Sequence, residues 1–169
     1  GQNTKIDATT STSTIEFAGT SAQTIPDGAF LDTTVSNIKI NNANGVTLYT
    51  DLLINGTLTL SNGLFNTGNK SITFGSLATD PVEKSTSRIV GTATVQNIET
   101  GISSFSFLSC YIAAGSDDIG HVTVTRKTGA LGVINVNGND SIQSNWEINS
   151  DYPPSNGRTV EYKWLSDLD

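Results

Sequence analysis

Short runs of the form apolar-Thr-apolar, set apart by Asn-Gly corners, commit this chain to β-structure before any other property is weighed. Val46-Thr47-Leu48, Leu58-Thr59-Leu60 and Ile72-Thr73-Phe74 share the pattern, and Ile38-Lys39-Ile40 has the same shape. In an extended strand successive side chains point to opposite faces, so each triplet sends two apolar groups one way and a polar group the other. Asn-Gly pairs stand at 44–45, 55–56, 62–63, 137–138 and 156–157. Asn and Gly accept positive φ at little cost, so they supply corners where a strand reverses or bends. No helical period interrupts these segments.

Two architectures produce such a rhythm. In an antiparallel sandwich the Asn-Gly pairs are two-residue hairpin turns, whereas in a parallel solenoid they are bends between the strands of successive coils. The first apolar positions of the four triplets are spaced by 8, 12 and 14 residues. The likeness of the triplets favours a solenoid, in which like side chains stack above one another. Residues 76–87, with Asp80-Pro81 and Glu83-Lys84, break the pattern and read as a surface loop at a unit boundary. Beyond it, strands are expected at 88–95, 104–108, 121–126, 133–136 and 159–164, with period-2 polarity clearest from His121 to Arg126. Pro153-Pro154 and Asn156-Gly157 mark a loop between strands. The expected fold is therefore all-β: a parallel, β-helix-like solenoid over residues 14–80, then a β-sandwich-like unit over 81–169. Residues 1–13, small and polar, read as linker or frayed edge.

Composition narrows the function classes. Thr, Ser and Asn supply 59 of the 169 residues, and charged residues only 15%. This suits polar-faced strands and not a helical enzyme. Nine Lys and Arg, scattered singly in a chain of net charge -7, build no basic track for nucleic acid. The lone Cys110 forms no internal disulfide and, among Phe105, Phe107, Leu108 and Ile112, reads as a small buried apolar group. No apolar segment is long enough to span a membrane. The missing Met and the open ending at Ser166-Asp167-Leu168-Asp169 suggest a piece of a larger exported protein.

The stretch GTSAQTIPDGAF followed by SNIKINNANGVTLYTDLLINGTLTLSNGLFNTGNKSITFG resembles a module of very large secreted and cell-surface proteins of Bacteroidota. In that module an AQTIP turn, an INNxxGVTL strand and NGTLTL coils recur. The later stretches DDIGHVTVTRKTG and SIQSNWEINSDYPPSNGRTVEYKWLSDLD are similar to the segment that follows those coils, although Ser144-Asn145-Trp146 stands where Arg-Tyr-Trp is more usual. The resemblance covers most of the chain. It implies a solenoid stalk in an adhesin-like protein exported by type IX secretion, located outside the cell, with surface glycans or other cell-surface proteins as partners. It carries over no catalytic residue, because its pattern positions are structural.

Few residues could carry chemistry. His121 is the only histidine, which excludes a site built on two imidazoles and leaves it as the sole base for a Ser-His-Asp triad; a strand-entry residue facing solvent is the expectation. Asp117 and Asp118, and Asn139 and Asp140, offer clustered oxygens that could hold Ca²⁺, though turn chemistry accounts for both loops. Glu83, Glu99, Glu147 and Glu161 could pair as glycosidase acid and base only if two faced each other, and solvated positions are expected for all four. Arg126-Lys127, the only adjacent cations, fall at a strand end. Asn55, Asn69 and Asn139 begin N-glycosylation patterns of the kind chance produces here. Tyr162 and Trp164 alternate with Val160 and are expected in the core, leaving Tyr152, beside Pro153, as the exposed ring for sugar stacking. No catalytic, cofactor or metal residue is assigned. The expected function is a non-enzymatic structural or adhesive module, with a carbohydrate-binding module of a secreted polysaccharide-degrading enzyme as the alternative.

Overall fold

Alternation decides which side chains of each triplet go inside, but the stacking partner lies one full coil away. In the computed structural model, which describes residues 4–165, Ile38 stands on Leu58, Val46 on Phe65, Ile54 on Phe74 and Phe74 on Val95. The offsets are 20, 19, 20 and 21 residues, enough for one circuit of three short strands and their corners. The triplets at 46–48, 58–60 and 72–74 therefore lie on three different faces and do not stack on one another. The spacing of 8, 12 and 14 measured steps around a coil, not the repeat between coils.

The first coil comprises β1 (Ile6–Ala8), β2 (Thr14–Phe17) and β3 (Gln23–Ile25). The second comprises β4 (Phe30–Val35), β5 (Asn37–Asn41) and β6 (Val46–Leu48). The third runs through β7 (Leu52–Ile54), β8 (Leu58–Asn62) and the start of β9 (Phe65–Phe74). The fourth turns through the rest of β9, a bridge from Thr79 to Thr57, and the start of β10 (Ile89–Glu99). All pairing between these coils is parallel. Since β1 pairs with β4, the first coil begins inside the stretch read as linker or frayed edge.

Asparagine side chains tie successive coils together at the corners. Asn42, 1% exposed, donates from Nδ2 to the Ser21 carbonyl (2.7 Å) and to Gln23 Oε1 (2.9 Å), while its Oδ1 accepts the Asn44 N–H. Asn37 donates to the Ser11 and Ser13 carbonyls in the coil before and accepts the Thr57 N–H from the coil after. A corner must bury backbone polar groups, and each needs a partner. Asn supplies a donor and an acceptor on one short side chain.

The solenoid passes into antiparallel structure without a break. β10 pairs parallel with β9 on one side and antiparallel with β13 (His121–Thr128) on the other. Before β13 come β11 (Phe105–Phe107) and β12 (Cys110–Ile112); after it come β14 (Asn135–Val136), β15 (Asn139–Asp140), β16 (Ser144–Ser150) and β17 (Val160–Tyr162). β16 extends the large sheet beyond β13, and β11, β12 and β17 form a separate antiparallel sheet. The two layers share one core, with Phe107 against Phe74 at 5.2 Å between ring centroids and Trp146 stacked on Tyr162 at 4.8 Å. A row of mutually paired side chains, Ala8, Val35, Ile54, Phe74, Val95, Val124 and Ile148, runs through both parts. The fold is thus a parallel β-solenoid of about four turns joined to further antiparallel sheets.

Candidate functional site

In the antiparallel cap, cations, a carboxylate and aromatic rings converge. β13 alternates between solvent and core, and Arg126 falls on the inward register of Val122 and Val124. Of the basic pair read at the end of this strand, Arg126 is only 4% exposed, while Lys127 lies outside. Glu83, expected in solvent, is corrected: its carboxylate accepts Arg126 Nη1 at 2.5 Å and the Ile89 N–H at 2.7 Å, with both side chains of the ion pair buried. Desolvation makes an unpaired charge untenable at this depth, so the Arg126 guanidinium holds the loop 76–87 inward. Arg126 Nε and Nη2 are buried and carry no hydrogen-bond partner.

Around this ion pair lies a cavity of about 230 Å³, bounded by Arg88, the start of β16 with Ser144 and Trp146, and the segment after β17 with Lys163 and Trp164. Its inner rim is a two-residue turn joining β11 to β12, where Leu108 (φ 52°) and Ser109 (φ 59°) both adopt the left-handed conformation. Neither residue favours that region, and the turn is held from outside. Asp80 Oδ1 accepts the Leu108 N–H at 2.8 Å and Trp146 Nε1 donates to the Leu108 carbonyl at 2.8 Å, while the Leu108 side chain is 1% exposed. Burial pushes the Asp80 carboxyl above its ordinary value, opposed by that hydrogen bond.

Tyr162 and Trp164, expected in the core with Val160, are 40% and 50% exposed, and Val160 is 37% exposed. β17 is the outer strand of a three-stranded sheet, so alternation there does not separate core from solvent. Tyr152 is exposed, as expected, but it does not line the cavity. A second space of similar volume lies between the two layers, is mostly apolar, and is bordered by Ile112, Ile119, Val122 and Val160.

The other candidate groups act locally. His121 stands at the exposed edge with Nδ1 at 2.8 Å from Asp151 Oδ2 and Nε2 at 3.1 Å from Glu99 Oε2. The Asp151 hydrogen bond and the nearby Glu99 charge raise its pKa, and both ring nitrogens face carboxylates, not a hydroxyl nucleophile. Asp117 accepts Asn156 through its backbone N–H and Nδ2, and its carbonyl accepts Arg158 Nη2; Asp118 accepts the Gly120 N–H. Asp140 accepts Asn135 Nδ2 across the β14–β15 hairpin, whose turn is Asn137-Gly138. Glu147 accepts Asn149 and Glu161 lies exposed on β17, so the four glutamates have different surroundings. Cys110 is buried, and burial pushes its thiol up to about 11. Arg158, unremarked in the sequence, donates to the carbonyls of Gly101, Ser103, Ala113 and Asp117 and pins three loops.

Period-2 counting along β13 would have found Arg126, since the position two beyond Val124 is inward by the same rule. No comparable signal marks Glu83, which comes from a loop of irregular pattern. No family model, curated protein or solved structure matches this chain.

Proposed function

We propose that this chain is a non-catalytic structural and adhesive module of a secreted or surface-anchored bacterial protein, of the adhesin-like kind exported by type IX secretion in Bacteroidota. The observation that carries the reading is the continuous parallel ladder. Each coil adds one strand spacing of about 4.8 Å along the axis, and backbone hydrogen bonds and stacked apolar rows make the assembly stiff. Polar Thr, Ser and Asn occupy much of the outside, where adhesion to surface glycans or cell-surface proteins takes place. Limited proteolysis under native conditions is expected to spare residues 37–75, and cleavage throughout that stretch would remove the stalk. Antibody labelling of intact producing cells tests the location, and labelling only after lysis counts against it.

A second reading, a carbohydrate-binding module, draws on the indole rings at the cap cavity, since aromatic faces suit the C–H faces of sugars. Saturable binding on a glycan array is its expected sign.

A further inference from the structure

The stacked apolar rows of the solenoid stand open at the first coil. Ile38 and Ile40 in β5 are 0% exposed, whereas Ile15 and Phe17, which stand on them in β2, are half-buried, and Ile6 in β1 is 50% exposed. Among the described residues, β1, β2 and β3 each pair on one side only, with β4, β5 and β6. Their outer edges carry unpaired backbone donors and acceptors, a template for a further strand. At β1 the Ile6 N–H donates to the Ala29 carbonyl at 2.9 Å and the Ala8 carbonyl accepts the Ser36 N–H at 2.7 Å, so both residues turn their backbone groups to β4. Lys5 and Asp7, on either side of Ile6, turn theirs outward. Ala8 is buried, so Ile6 shares the core side of the strand, and the exposed Lys5 and Asp7 lie on the solvent side.

We propose that this end of the solenoid is an interface for a second copy of the chain, in which β1 pairs antiparallel with the partner's β1 about a two-fold axis at Ile6. Charge complementarity selects this occupant. In that register Lys5 stands opposite the partner's Asp7, and Asp7 opposite the partner's Lys5, as hydrogen-bonded pairs that use the outward backbone groups. The two Ile6 side chains meet between them on the core side. Opposite charges attract across a strand pair and like charges repel. Centring the axis on Lys5 or on Asp7 instead sets like charges against each other, so Lys5-Ile6-Asp7 is its own complement in one register. A further parallel coil satisfies the same backbone groups but leaves the alternation of charge around Ile6 unused. The same axis sets the edge of β2 antiparallel to the partner's β3, which covers the half-buried Ile15 and Phe17.

Sedimentation equilibrium of the intact 169-residue chain across the micromolar range is expected to show monomer and dimer in equilibrium. Lys5→Asp and Asp7→Lys each set like charges in both cross-strand pairs, and each is expected to weaken the dimer about tenfold or more at low salt. Asp7→Lys also loses the bonds that Asp7 accepts from the Thr9 N–H and Oγ1, so Lys5→Asp, an exposed change outside them, serves as the second test. Its melting temperature is expected within a few degrees of wild type. Mixing the two single variants restores opposite charges in both pairs, and combining Lys5→Asp with Asp7→Lys in one chain does the same. Both are expected to return the dimer to within about threefold of wild-type affinity. A monomer throughout the concentration range overturns the proposal and leaves these edges to another occupant. A dimer undiminished in both single variants places the contact elsewhere and overturns it too, and so does a mixture that stays monomeric, because it excludes the register.

Discussion

At the residue scale, two glycines of similar backbone conformation have very different surroundings. Gly63 has φ of +80°, and a Cβ there would sit 1.7 Å from the Asn42 carbonyl oxygen in the adjoining coil. Gly138 has φ of +86° with nothing within 4 Å. Gly138→Ala is therefore expected to lose only the conformational term of about 1 kcal/mol, whereas Gly63→Ala must also separate two coils and lose well beyond ~2 kcal/mol. Urea midpoints of the two variants check this, and equal losses would show that the corners of the solenoid are slack. His121 gives a pH signature of known sign. Its pKa is raised above the ordinary 6.5, so the stability it contributes is present below that value and lost as pH rises through the folded value. Asp151, held below its ordinary 3.8 chiefly by hydrogen bonds from His121, contributes above that value and loses its share as pH falls through the depressed one. Thermal midpoints between about pH 5 and about pH 9 are expected to decline on the alkaline side in the wild type and to flatten in His121→Gln. An unchanged profile would mean that the exposed carboxylates are fully screened.

At the element scale, the corner asparagines do what the strands alone cannot, because they join coil to coil through side chains where backbone pairing lapses. Asn42→Ala removes three hydrogen bonds from a buried position and is expected to lose about 2–3 kcal/mol. Asn41→Ala next to it, exposed and bonded only to Glu16, is expected to stay within about 0.5 kcal/mol. Denaturant unfolding of the pair distinguishes a structural asparagine ladder from general polarity. This division explains what the sequence made legible. Triplet alternation revealed β5, β6, β8 and the end of β9, because a buried face imposes period 2 on any strand. It did not reveal the coil length of about 20 residues, since partners in a solenoid are set by the full circuit and not by local pattern. The β11–β12 hairpin escaped notice for a related reason. Its turn is Leu108-Ser109, held by Asp80 and Trp146 from elsewhere in the chain, so no turn residue announces it. The cavity was equally hidden: alternation puts Arg126 at a strand end, Glu83 in solvent and Trp164 in the core, and only the folded register brings them together.

At the scale of the whole molecule, the question is whether solenoid and cap unfold as one body. β10 is hydrogen-bonded to both, the paired row from Ala8 to Ile148 crosses the junction, and Glu83 from the loop reaches Arg126 in the cap. No thin linker separates two cores, so cooperative unfolding is the physical expectation. Tryptophan fluorescence follows the cap alone, since Trp146 and Trp164 both lie there, while far-ultraviolet circular dichroism follows strands throughout. The two signals are expected to give coincident urea transitions. Glu83→Gln leaves a buried guanidinium short of its counter-charge and is expected to cost about 3–5 kcal/mol, shifting both signals together. Pairing it with Arg126→Met removes both charges, and the double variant is expected to be less destabilised than the sum of the two single ones, which measures the coupling across the junction. If Glu83→Gln instead shifts fluorescence alone and leaves the circular dichroism midpoint in place, the cap melts independently, and the ion pair stabilises the cavity without binding the two parts into one folding unit.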